Sequence, residues 1–128
     1  MISINLVSGT TTDSTPISFT LSEKSNEKIA ISGNDLLIKE AGFYEITGMA
    51  TVTSSETGDY GLAIYANDNL LGIQSINEAT ASGETSTIPL NAIANVTKTN
   101  TSGFATINIM PVSAPTIVSG IVSIKKIV

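Results

Sequence analysis

The chain has 128 residues, enough for one domain with a sizeable core, and carries a net charge of −5 with only 13% charged residues. It contains no Cys, His, Trp or Arg, which removes disulfides, thiolate metal sites, the usual neutral-pH general base and the guanidinium groups that read phosphate. No nucleic acid partner is expected, and no apolar run reaches the ~20 residues of a membrane-spanning helix.

The opening MISINLV has no basic region, long apolar stretch or small-residue cleavage site, so no signal peptide is expected and assembly inside the producing cell is. Residues 2–7 alternate through Ile2, Ile4 and Leu6, and the polar run SGTTTDSTP leads to a short strand, ISFTL, at 17–21. SEKSNEK, at 22–28, is the most charged stretch and reads as a surface loop. IAIS at 29–32 and LLIK at 36–39 flank the turn Gly33-Asn34-Asp35. After Glu40-Ala41-Gly42, a turn with Gly42 free to take positive φ, a long strand runs over about 43–53.

The loop SSETGD then opens into YGLAIYA at 60–66. Asn67-Asp68-Asn69 predicts a tight hairpin turn, because Asn and Asp tolerate positive φ, with LLGIQSI at 70–76 pairing back. NEATASGET precedes STIPLNAIANV at 86–96, TKTNTSG precedes FATINIMPV at 104–112, and TIVSGIVSIKKIV ends the chain. Together these make about ten short strands and no helix, the spacing of an all-β sandwich or jelly roll. Ser and Thr fill roughly a quarter of the chain beside many Ile and Val, a composition suited to sheets.

The strand from Phe43 has two semi-apolar faces. Period two sends Tyr44, Ile46, Gly48, Ala50 and Val52 to one side, which suits a core. Phe43, Glu45, Thr47, Met49 and Thr51 go to the other. A solvent-facing strand has little use for Phe43 and Met49, so this second face, with Ile93, is the candidate subunit interface. Low charge on a sheet protein likewise favours association, since little repels one sheet from another. Gly48 marks a bulge or a close backbone approach. The expected core comprises Tyr44, Ile46, Val52, Leu62, Ile64, Leu90, Ile107 and Ile109.

GFYEITGMATV, GLAIYANDNLLG, STIPLNAIANV and the terminal VSIKKIV resemble the trimeric jelly roll of the tumour necrosis factor and complement globular-head superfamily. The likeness is closer to the C-terminal domain of spore-surface collagen-like glycoproteins and to related bacteriophage structural proteins. It covers about residues 30–128 and is carried mainly by Gly42, Phe43, Tyr44, Ile46, Asn67, Leu90 and Ile124. The resemblance implies a ten-stranded jelly-roll sandwich forming a homotrimer around a threefold axis. No Gly-X-Y stalk is present, and the calcium and receptor-contact residues of the animal members have no counterpart. Residues 1–128 are then one domain, with 1–28 as N-terminal strands and loops that dock on a particle or complete the jelly roll.

No constellation of catalytic groups stands out. The carboxylates lie mostly in loops, without the converging pair a glycosidase needs. Asn67-Asp68-Asn69 lacks the further ligands of a calcium loop and reads as the hairpin turn. Asn95-Val96-Thr97 and Asn100-Thr101-Ser102 match the glycosylation pattern, expected by chance in so Ser/Thr-rich a chain. Ser22 with Lys24 and Ser25 with Lys28 are Ser–Lys pairs of the charged loop, and covalent catalysis is not expected from them. Tyr60 and Tyr65 are candidates for stacking on sugars, and read first as core and rim.

The expectation is a non-enzymatic homotrimer without cofactor or metal, placed on a bacteriophage virion as a decoration or a head or tail fibre, with a capsid or coat protein as further partner. A spore- or cell-surface structural protein is the alternative. A carbohydrate-binding module recognising host surface glycans through SSETGD and NEATASGET is a third.

Overall fold

The computed structural model describes residues 2–21, 29–72, 74–97 and 105–127. The expected loop at 22–28 with its two Ser–Lys pairs, the acceptor site at Asn100 and most of 97–103 lie outside them.

Twelve strands and no helix are formed by the described residues: β1 (Ile2–Leu6), β2 (Gly9–Thr10), β3 (Phe19–Leu21), β4 (Ile29–Ser32), β5 (Asp35–Ile38), β6 (Gly42–Thr53), β7 (Gly58–Ala66), β8 (Asn69–Leu70), β9 (Ser75–Ala79), β10 (Thr85–Val96), β11 (Ala105–Val112) and β12 (Thr116–Lys126). β2 and β8 are two-residue ladders. Nine of the other ten are strands that turn signals and alternation predict; β9 is displaced from its expected place.

Two six-stranded antiparallel sheets pack face to face as a jelly-roll sandwich. The first runs β10-β6-β12-β1-β3, with β2 also on β12; the second runs β4-β5-β11-β7-β8, with β9 also on β7. Their inner faces hold the core. In β10 the alternation is complete, with Ile88, Leu90, Ala92, Ala94 and Val96 buried and the residues between them exposed. Tyr44, Ile46, Val52, Leu62, Ile64, Leu90, Ile107 and Ile109 are all at most 3% exposed. Each such side chain contributes about 1.5–3 kcal/mol of burial.

Residues 2–21 are part of this body. β1 lies between β12 and β3, with Ile2 opposite Ile124 and Leu6 opposite Phe19. Ile2, Ile4, Leu6, Ile17 and Phe19 join the core cluster. Beyond β2 the chain crosses to the second sheet, where Ile17 N–H donates to the Ile109 carbonyl at 2.8 Å.

Gly48 shows close backbone approach. A Cβ there would run into the Ile121 carbonyl oxygen and lie 2.9 Å from Val122 Cα, both backbone atoms of β12. Gly48→Ala must therefore push β6 away from β12 at the sheet's middle. The expected cost is about 1–3 kcal/mol, measurable as a lowered Tm; an unchanged Tm would mean that the strands separate freely at this point.

One expected strand differs. LLGIQSI does not form a single strand over 70–76: β8 ends at Leu70, the chain turns at Gly72 (φ 66), and β9 starts at Ser75 and continues to Ala79. Both pieces pair with the same edge of β7. Glycine lacks the Cβ that disfavours positive φ, so the ladder breaks there. The hairpin ahead of it is as expected, with Asn67 at φ 49 and Asp68 at φ 66, positive at both central positions as a primed turn requires.

Candidate subunit interface

β6 begins with a local lock. Gly42 has φ 151, a value that only glycine adopts readily, and turns the chain so that Tyr44 points inward. The Tyr44 hydroxyl then donates back to the Glu40 carbonyl at 2.8 Å. Burial, and after it the negative charge of Glu40, hold this phenol above its ordinary pKa. It therefore remains a donor throughout the neutral range. Glu40 also pairs with Lys126 at 3.3 Å, tying the start of β6 to the end of β12.

With Tyr44 facing in, β6 presents its odd-numbered residues on the outer face of the first sheet. Phe43 is 42% exposed, Met49 56% and, on β10, Ile93 57%. All three predicted interface residues thus lie on one face. Met49 sits between Pro89 of β10 and Ile121 of β12. Ile93 is opposite Glu45, and Phe43, opposite Asn95, is its diagonal neighbour. Asn95, with its glycosylation pattern, is exposed here. Ile127 extends the ladder, its N–H donating to the Phe43 carbonyl at 2.8 Å.

Val118 and Ile121, 52% and 49% exposed, belong to the same surface and escape sequence reasoning. The register of β12 against β6 shifts between Ile117 and Ser119. Ile117, Val122 and Ile124 are all buried, so strict alternation from Ile117 fails and the bulge turns Ile121 outward. The available signal was Gly120, since a glycine inside a strand pattern often marks a bulge. Asn5, Met49, Thr51, Thr87, Ser119, Gly120 and Ile121 line a shallow depression of about 360 Å³ on this face. Charge is sparse here: Glu45 and Lys125 are cross-strand neighbours and offset one another.

Elsewhere polar groups are occupied in turns. Loops 54–57 and 80–84 are bound together: Ser54 N–H donates to the Glu84 carbonyl at 2.8 Å and Gly83 N–H to the Ser54 carbonyl at 3.1 Å. The Glu84 carboxylate accepts from Thr80 N–H and hydroxyl, both at 3.1 Å. Asp13 accepts from Ala114 N–H at 2.8 Å. No group of three or more acidic residues suited to a metal occurs among the described residues. Tyr60 is unavailable for stacking on a sugar. It is 1% exposed, its hydroxyl 2.6 Å from Ser86 Oγ, and Asn77 Nδ2 donates to it at 3.2 Å. Tyr65, by contrast, lies on the outer face of the second sheet, half-buried.

By sequence, no known family and no curated protein matches the chain. By structure, it is similar to murine APRIL at pH 8.5, with TM-score 0.67, 12% identity, and 97% of this chain and 98% of the other covered. It is also similar to the Eiger TNF from S. frugiperda, with TM-score 0.70, 11% identity and coverage of 99% and 92%. At such identities the likeness establishes the fold, a TNF-like jelly roll.

Proposed function

We propose that this protein is a non-enzymatic, homotrimeric structural module, and that it serves on a bacteriophage virion as a decoration or a head or tail fibre component. The observation that carries the reading is the set of large apolar side chains, Phe43, Met49, Ile93, Val118 and Ile121, exposed on the outer face of the first sheet of a TNF-like jelly roll. A soluble monomer gains nothing from this surface, whereas three protomers packed about a threefold axis would bury it. The virion placement is supported by the resemblance of the 42–52 strand and the later motifs to bacteriophage and spore-surface jelly rolls. The same trimer would serve equally on a spore or cell surface, the alternative placement.

Light scattering of the purified protein across a dilution series tests the assembly. The expected mass is three times 13.2 kDa, stable on dilution. A monomer at all concentrations overturns the trimer. Mass spectrometry of density-purified virions and of spore coats then tests the placement, with the protein expected in the virions. Its recovery from spore coats alone overturns the virion reading.

A further inference from the structure

The outer face of the second sheet carries a groove that the trimer reading does not use. It has a volume of about 260 Å³ and is lined by Ser14, Pro16, Tyr65, Asp68, Asn108 and Met110. Two walls make it. One is the crossing segment that carries Ser14 and Pro16, held to β11 by the bond from Ile17 N–H to the Ile109 carbonyl. The other is the β7–β11 ladder, in which Tyr65 and Asn108 are direct cross-strand partners. Their side chains are therefore neighbours on one face, about 5 Å apart at Cβ. Asp68 reaches the groove from the hairpin turn that follows β7.

Asn108 is the unusual member. It is only 7% exposed, yet polar. Its Nδ2 is accounted for structurally, donating to the Asn34 carbonyl at 2.9 Å and to Asp35 Oδ1 at 2.7 Å, which clamps the β4–β5 turn. Both amide protons are thereby directed at that turn, and the opposite end of the amide is an acceptor. Among the described residues Asn108 Oδ1 receives no hydrogen bond. With its donors committed to the turn, Asn108 offers the groove an acceptor alone, which suits a ligand that brings a donor.

We propose that this groove binds a single neutral pyranose ring of a glycan. The apolar face of the sugar would lie on the Tyr65 ring, flanked by Met110 and Pro16, while its hydroxyls donate to Asn108 Oδ1 and the Asp68 carboxylate. A few polar groups fixing a ring against an aromatic wall is the usual composition of a small-ligand site. Asp68 in the groove, Asp35 behind Asn108 and the net charge of −5 disfavour sugars carrying a carboxylate. The site is complete within one protomer and lies on the sheet opposite the proposed interface. It therefore stands whether or not the trimer forms, and in a trimer it would be displayed three times.

The test is an amide-shift NMR titration of the 15N-labelled full chain. The probes are methyl galactopyranoside, methyl glucopyranoside, methyl mannopyranoside and N-acetylglucosamine, each to about 50 mM, with N-acetylneuraminic acid as the charged control; an isolated ring is expected to bind at about 1 mM or weaker. At least one neutral sugar is expected to shift the amides of Ser14, Tyr65, Asp68 and Asn108. Tyr65→Ala is expected to weaken that binding by roughly ten-fold or more, and Asp68→Asn, which keeps a residue tolerant of positive φ, by several-fold. Both variants are expected to keep the wild-type fold and mass. Three results would overturn the proposal: no neutral sugar shifts these amides, the shifts map to loops 54–57 and 80–84, or Tyr65→Ala binds as well as wild type. Tighter binding of the charged control overturns the neutral-sugar assignment.

Discussion

Met49→Lys is expected to convert the proposed trimer into a monomer while leaving the protomer folded. In the isolated chain this side chain is 56% exposed, so a lysine there stays hydrated and changes protomer stability by no more than about 0.5 kcal/mol. In the proposed assembly it would be brought, between Pro89 and Ile121, into a contact repeated at every protomer. An unpaired ammonium desolvated there costs several kcal/mol each time, of the order of 3 kcal/mol or more. Glu45 is four residues away along β6 and already faces Lys125, so it offers little compensation. Light scattering and circular dichroism on one sample separate the effects: a monomeric mass with an intact sheet spectrum is expected. A trimeric mass for this variant, and for Phe43→Lys, would mean that this face does not form the contact.

Leu90→Ala should produce a large loss of protomer stability, about 2–5 kcal/mol and towards the upper end. Leu90 is 3% exposed at the middle of β10, and its partner across the ladder is Gly48. A glycine has no side chain with which to fill the space that truncation leaves. The cavity therefore stays open, which is the condition under which large-to-small changes cost most. A fall in Tm of roughly 8–20 °C is expected for a domain of this size, compared at one protomer concentration so that assembly does not shift the reading. A loss below about 1 kcal/mol would indicate that the site collapses, contrary to this packing.

Local pattern was highly legible. Alternation in GFYEITGMATV placed Tyr44, Ile46 and Val52 inside and Phe43 and Met49 outside. The Asn67-Asp68 turn followed from residue type alone, and Gly48 was legible as a bulge or a close approach, of which the structure has the second. Period two fails where the local rule changes phase or stops. At Gly72 a positive φ interrupts the ladder that LLGIQSI was expected to continue. At Ile117/Ser119 the bulge moves Ile121 to the outer face, a position that period two alone assigns wrongly.

Tyr65 shows the same division. Sequence marked it together with Tyr60 as an aromatic with two readings, and nothing in either local context separated them. Packing separated them: Tyr60 points between the sheets to Ser86 and Asn77, while Tyr65 meets Asn108, forty-three positions later, across β7 and β11. Side-chain direction along one strand is a period of two residues and is written into the chain. Which strands become neighbours, in which register, and what then covers each face depend on contacts between distant segments. The all-β class, the turns and the core residues could therefore be read from the order of residues. The shared outer face of β6, β10 and β12, where Met49 meets Pro89 and Ile121, and the groove beside Asn108 exist only once those strands are side by side.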